Sequence, residues 1–344
     1  MPLVRRRPRT IAAVVVVALA AAGAAVAARA ERPATVRAAA ALGVAHLKST
    51  SDVVRGPWYG MRVLFDPTDF VPADPPAHAA PPINAAGGIV VDLDAGTILW
   101  QQNAHGHLSP ASTTKILTAL VALENFSPSR EVTVSPASLN QAWDETRIGL
   151  VAGQTLTVQE LLTGMLLVSG NDAATAIAQD TVGLDRFVAA MNGQVAALGL
   201  HDSHFTSPVG LDEPNLYTSA YDLAVISATA VRHFPLFRQV VAMNDAVLPA
   251  TAGHPEFDLQ SINLLLSMYP AAVGIKPGWT GDAGYCEVGM AVRNGHRLIS
   301  VLLNAPYDYS QTRALLDWGF VTEGLASLLP PPTPSPSPSP ARHG

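Results

Sequence analysis

Ser112 and Lys115 stand three residues apart in "SPASTTKILTALVALE", a spacing that puts both side chains on one face of a helix. Serine is a weak nucleophile until a neighbouring base takes its proton. A lysine set among Ile116, Leu117, Leu120 and Val121 has its charged form disfavoured, which brings its pKa down toward neutrality. Arginine cannot be such a base, because it does not deprotonate in proteins. That distinction carries weight in this chain. Of 21 basic residues only Lys48, Lys115 and Lys276 are lysines, and the other 18 are arginines. Ser112 would also lie in the first helical turn, where the dipole favours developing negative charge. Taken alone, the pair has an ordinary reading too: an exposed lysine beside a helix-capping serine.

Two further stretches have chemical potential. In "SGND", Ser169 and Asn171 offer a hydroxyl to relay a proton and an amide to bond a peptide carbonyl. In "GIKPGWTGDAGYC", Lys276 stands in a glycine-flanked strand, and glycines let a substrate backbone lie close. Each has a plain alternative, a helix cap and a snorkelling surface lysine. Together they weigh more. Ser-x-x-Lys, Ser-x-Asn and Lys-x-Gly, in that order, form the signature of penicillin-interacting serine enzymes.

With "MNGQVAALGL", "SPVGLDEPNLYTSAYDLA" and "LLDWGF" added, the region from about Ala85 to Phe320 resembles the serine-type D-alanyl-D-alanine carboxypeptidases, the low-molecular-weight penicillin-binding proteins. The resemblance implies a β-lactamase/transpeptidase-like α/β (α+β) fold and a peptidoglycan stem peptide ending in D-Ala-D-Ala as substrate. It also implies β-lactams as inhibitors. By position it makes Ser112 the acylated nucleophile, Lys115 its base, and Ser169 and Asn171 the second motif. Lys276 becomes the residue that orients substrate and supports proton transfer. Gly278, Trp279 and Thr280 join Lys276 in substrate binding, and the Ser112 and Trp279 N–H groups form the oxyanion hole. No metal or cofactor is implied.

The chain departs from the family pattern at two places. Lys276-Pro277-Gly278 replaces the usual Lys-Thr-Gly, and Asn263-Leu264-Leu265-Leu266 lacks a basic residue often found there. In members of the family both positions help hold the terminal carboxylate, so relaxed selectivity for a free carboxylate is expected. Thr280 and Arg313 are candidates to compensate. A DD-endopeptidase would tolerate the missing clamp. A class A β-lactamase needs a water-positioning glutamate. Glu213 in "LDEPNLYT" is a candidate, although its surroundings match the carboxypeptidase pattern better. A non-catalytic muropeptide-binding module would not need the intact Ser-Lys pair.

These residues need elements to hold them. "GGIVVDL" and "TILWQQ" flank Asp94-Ala95-Gly96, and "AGYCEVGMAV" and "RLISVLLNA" flank Asn294-Gly295. Both patterns predict hairpins. Between them, helices are expected from about Ser112, from "TVQE" with Thr157 and Glu160 as a capping box, and over "NDAATAIAQD", "GLDRFVAAMNGQVAALGL" and "SAYDLAVISATAV". "YSQTRALLDWGF" predicts a closing helix. Strands at both ends with helices between predict one antiparallel sheet built from both ends of the domain, beside a helical cluster.

The flanks read differently. "MPLVRRRPRT" precedes an apolar run from Ile11 to Ala28 and an Ala28-Arg29-Ala30 site. Residues 1–30 are therefore either a cleaved export signal or a retained membrane anchor, and the protein is expected outside the cytoplasm, cell-wall or membrane-associated. Residues 31–84 read as an Ala/Pro-rich spacer, 85–328 as the catalytic domain and 329–344 as an extended Pro/Ser tail. A net charge of −6 without a basic patch beyond the N-terminus argues against nucleic acid. Cys286, the only cysteine, excludes an internal disulfide and reads as packed.

Overall fold

The computed structural model describes residues 53–54, 61–64, 66, 68–306 and 309–330. Strands β1 (Val53–Val54) and β2 (Val63–Leu64) form a short antiparallel ribbon. β3 (Val71–Pro72), β4 (Gly87–Asp92) and β5 (Thr97–Gln102) follow. β6 (Glu131–Thr133) pairs with β7 (Thr155–Thr157), and β8 (Asp245–Leu248) with β9 (Phe257–Gln260). Last come β10 (Ala272–Thr280), β11 (Gly284–Arg293) and β12 (His296–Ala305).

The central sheet has the order β10-β11-β12-β4-β5-β3. Its pairings are antiparallel except for β3, which runs parallel to β5. Both expected hairpins are present. Asn294 and Gly295 have φ of 49° and 87°, as a two-residue turn of matching twist requires. At the other hairpin Gly96 has φ 70°, and the Asp92 carboxylate accepts the N–H groups of Asp94 and Ala95.

Eight α-helices complete the described fold. α1 (Thr114–Asn125) is buried along most of its length as a central helix, with Thr114, Lys115 and Thr118 among its buried residues. α2 (Val158–Leu167) opens with the Thr157–Glu160 capping box. α3 (Asn171–Gln179), α4 (Leu184–Ala197), α5 (Ala220–His233), α6 (Pro235–Val241), the single turn α7 (Leu265–Met268) and α8 (Tyr309–Thr322) follow. Alternation along β4 sets the layers. Ile89 and Val91 join the core shared with α1 and α5, whereas Val90 joins Leu315, Leu316 and Phe320 of α8. The sheet thus lies between α8 and the helical cluster, and α5 packs on both α1 and the sheet.

The spacer expected over 31–84 needs correction where it is described. Met61, Val63, Leu64 and Phe70 are buried in the core. The Gln194 amide holds Leu64 by both its N–H and its carbonyl, at 2.8 and 2.7 Å. Val71 and Pro72 extend the sheet at its edge. Proline fits there because an edge strand can spare a ladder donor. Residues 1–52 and 331–344, which include the export segment, Lys48 and most of the tail, lie outside the described residues.

Candidate active site

Ser112 occupies a single 3-10 turn, Ala111–Thr113, that runs straight into α1. Lys115, one turn on, is completely buried. Its Nζ donates to Ser112 Oγ at 2.9 Å and to the Val209 carbonyl at 2.8 Å. The Val209 loop reaches α1 because Gly210 follows it. Gly210 has φ +85°, and a Cβ there would sit 2.0 Å from the Ala111 carbonyl oxygen. Burial first, and then the Lys276 charge, hold the Lys115 amine well below its ordinary pKa, while Glu145 and Asp172 pull the other way.

The second motif closes one side. Ser169 is buried in a left-handed conformation at φ 67°, just before α3. Asn171, the first residue of α3, donates its side-chain amide to Glu145 Oε2 at 2.7 Å and its N–H to the Thr146 carbonyl at 2.8 Å. The neighbouring Asp172 carboxylate accepts the N–H groups of Ile148, Gly149 and Leu150. The start of α3 therefore pins the 145–150 loop beside the serine. Ser138 and Asp180 anchor the preceding segment further out.

The third motif forms the edge of the sheet. β10 has β11 on one side only, so its outer edge can pair with an extended peptide. Lys276 is fully buried, with Nζ donating to the Pro277 carbonyl at 2.9 Å; burial lowers its pKa to about 7. Gly278 lies against the Ser112 turn, where a Cβ would be 2.7 Å from the Ser112 nitrogen and 3.0 Å from that of Thr113. Trp279 is exposed at the rim. Thr280 turns its hydroxyl to Asp212 Oδ1 at 2.5 Å, and the same carboxylate accepts the Asp282 N–H. The hydroxyl expected to face substrate is thus already engaged by a loop 68 residues away.

Ser112 stands between two cavities. A pocket of about 210 Å³ is walled by Ser169, Ile262, Pro277, Gly278, Tyr285 and Tyr309. A groove of about 370 Å³ passes Glu145, Asn171, Leu211, Asp212, Trp279 and Thr280. A larger cavity of about 620 Å³ near the start of α4 has none of the motif residues in its wall. Of the three chemical motifs, all are brought to one place. Arg313 and Leu264 are not in either wall. Glu213 is exposed and likewise absent, while its neighbour Asp212 reaches the groove. The sequence reading missed Glu145, Asp212, Ile262, Tyr285 and Tyr309. Tyr285 had a usable signal, since it stands directly across from Trp279 in the β10–β11 register.

Among the described residues, one group of metal-type ligands is close enough to share an ion: Asp92, His296 and Glu323, with ligand atoms within 4.8 Å. It lies at the other end of the strands from Gly278. Cys286 is fully buried, and burial pushes its thiol up to about 12, so it packs rather than reacts. No described helix is long and apolar enough to cross a membrane.

Residues 74–307 match the family described as D-alanyl-D-alanine carboxypeptidase. The chain is 37% identical over 248 residues to the D-alanyl-D-alanine carboxypeptidase DacB2 of Mycobacterium tuberculosis, covering 70% of this chain and 84% of that protein. It is 31% identical over 269 residues to DacF of Bacillus subtilis, covering 76% and 68%. The crystal structure of the Streptomyces K15 DD-transpeptidase superposes with a TM-score of 0.67 at 32% identity, covering 71% of this chain and all of that one.

Proposed function

This chain belongs to the D-alanyl-D-alanine carboxypeptidase family of serine peptidases, and on that premise we propose that Ser112 carries its chemistry through an acyl-enzyme. The observation that carries the reading is the 2.9 Å hydrogen bond between Ser112 Oγ and the buried amine of Lys115. A neutral Lys115 takes the serine proton as Oγ attacks the carbonyl of the penultimate D-Ala of a stem peptide. Charge developing on that oxygen falls to the N–H groups of Ser112 and Trp279. The tetrahedral adduct collapses, the C–N bond breaks, and the departing D-Ala amine takes up a proton supplied through Ser169 and Lys276. Water then hydrolyses the ester and frees Ser112. Asn171 bonds the substrate's amide, and the free edge of β10 pairs with its backbone.

A β-lactam carries a strained amide to the same oxygen, so it acylates Ser112 and stays. Peptidoglycan peptides and β-lactams are thus the partners, and the cell wall the place of action. We further read residues 1–30 as the device that exports the enzyme, by a cleaved signal or a retained anchor. The test is covalent labelling with a fluorescent penicillin. Wild type should give a stable adduct and Ser112→Ala none. Undiminished labelling of the alanine variant overturns the assignment. Turnover of a D-Ala-D-Ala peptide beside a cross-linked dimer and a cephalosporin separates the carboxypeptidase from an endopeptidase and a β-lactamase.

A further inference from the structure

The two cavities beside Ser112 differ in size and in charge, and that difference bears on the leaving group. An exopeptidase releases one residue, which suits the smaller, roughly 210 Å³ pocket, while the rest of the peptide needs the longer groove. No lysine or arginine is in the wall of either. Next to the pocket wall in the sheet, though not itself in that wall, is a carboxyl group. Glu287 of β11 is the direct register partner of Pro277, and Tyr285, two residues back, is that of Trp279. Cross-strand partners share a face of a sheet, so Glu287 lies beneath Pro277 and beside Tyr285, two walls of the pocket. It is fully buried. Thr312 of α8 donates to its Oε2 at 2.7 Å.

We propose that Glu287 is the specificity-determining residue of this pocket: its buried carboxyl admits a leaving residue with a free carboxylate while protonated and turns the pocket toward an amidated one once it ionises. The proposal rests on the Ser112 acyl-enzyme reading and names the leaving group that reaction prefers. Its physics is plain. A free carboxylate entering a pocket without a cation meets an acid held in low dielectric. The two coexist only while Glu287 keeps its proton, and the burial that drives its pKa up to about 8, against the opposing hydrogen bonds of Thr312 and Tyr285, keeps it protonated at neutral pH. The titratable group acting on it is Tyr285 on its own strand, whose ring meets that of Tyr309 edge-on with centroids 5.3 Å apart. α8 contributes Thr312. From β10 it meets Pro277, since Lys276 projects to the other face, and from β12 Leu302. Among the described residues no cation is within ion-pair distance of it. As pH rises through 8 the carboxyl ionises, and the pocket turns against a free carboxylate.

The experiment measures kcat/KM for a peptide ending in free D-Ala-D-Ala and for its C-terminal amide, from about pH 6.5 to 9.5. The ratio in wild type set against that in Glu287→Gln is the readout, because any effect of the Lys276 charge on a free carboxylate is common to both proteins. In wild type the ratio of free acid to amide should fall by about tenfold or more across that range, a size that two carboxylates several ångströms apart reach at an effective dielectric near 20. Glu287→Gln still accepts the Thr312 hydroxyl but cannot ionise, and its ratio should fall clearly less than that of wild type. A purely structural Glu287 would leave the two profiles alike. Thr312→Val removes a bond that favours ionisation, so its fall should move to higher pH. A flat wild-type ratio, an equal fall in Glu287→Gln, or an unmoved limb in Thr312→Val overturns the proposal. Penicillin labelling of wild type reports separately on Ser112, so failure of that reading is distinguishable from failure of this one.

Discussion

Lys276→Met should make the protein more stable at neutral pH while disabling it. An unfolded lysine keeps its proton up to about pH 10.4, whereas buried Lys276 releases it near 7. Between those values the unfolded chain binds more protons than the folded one, so stability rises with pH across the interval. At about 1.4 kcal/mol per pH unit, the folded state at pH 7 forgoes about 5 kcal/mol relative to a site indifferent to charge. Methionine keeps the unbranched length and has no proton to lose. It also removes the 2.9 Å bond to the Pro277 carbonyl, which costs about 1–3 kcal/mol once the acceptor is left buried. The expected net gain at pH 7 is about 2–4 kcal/mol. It should shrink to nothing, or reverse, near pH 10, where folded Lys276 is neutral and the unfolded lysine is close to releasing its proton as well. Urea unfolding of both proteins at pH 7 and pH 10 measures this, with penicillin acylation as the activity readout. A variant less stable at pH 7, or a difference equal at both pH values, refutes the reasoning.

Three further outcomes follow from the same geometry. Lys115→Arg should slow acylation by about 10²–10⁴-fold although charge is kept, because arginine cannot accept the serine proton; labelling rates check this, and near-normal acylation would mean another base. Gly278→Ala should cost about 10²–10³ in kcat, the size of one lost oxyanion donor, because its Cβ would lie 2.7 Å from the Ser112 nitrogen; steady-state kinetics with unchanged thermal stability would separate this from misfolding. Pro277→Thr should raise efficiency on a free D-Ala-D-Ala terminus more than on the amide, since threonine restores an N–H and a hydroxyl at the pocket wall; an unchanged ratio would place carboxylate recognition elsewhere.

What could be read from the sequence was local or ordered along the chain. The Asn294-Gly295 turn and the Thr157–Glu160 box each depend on residues within one turn of one another. The Ser112–Lys115 contact needs only helical spacing. Lys276 lies 161 positions beyond Lys115 and was legible only because the three motifs recur in a set order. The missed features are contacts between distant segments whose partners carry no mark. Nothing about Leu64 announces that Gln194 will hold it, and Asp212 reaches Thr280 from a loop in which Glu213 drew the attention. Glu287 left a faint trace, one acid within the strand "YCEVGMAV". Strand alternation alone cannot say whether its face is open to water or sealed by a helix, and α8 decides that it is sealed.

On the proposed mechanism, Lys115 and Lys276 also divide their labour by environment. Pairs of groups whose surroundings push their pKa values apart take opposite roles in proton transfer. Lys115 stands in the core of α1, and the charge of Lys276 lowers it further. Lys276, affected by burial alone, stops near 7. In the proposed mechanism the more strongly opposed amine, Lys115, takes the serine proton, and Lys276, near 7, is placed to give one. A charge on Lys276 depresses Lys115 beyond what burial alone would do. Glu145 and Asp172 oppose this from the pinned loop and from α3. The motifs thus work as one set of coupled charges. Moving the 145–150 loop would change the base even though no residue of that loop touches Lys115 by a hydrogen bond.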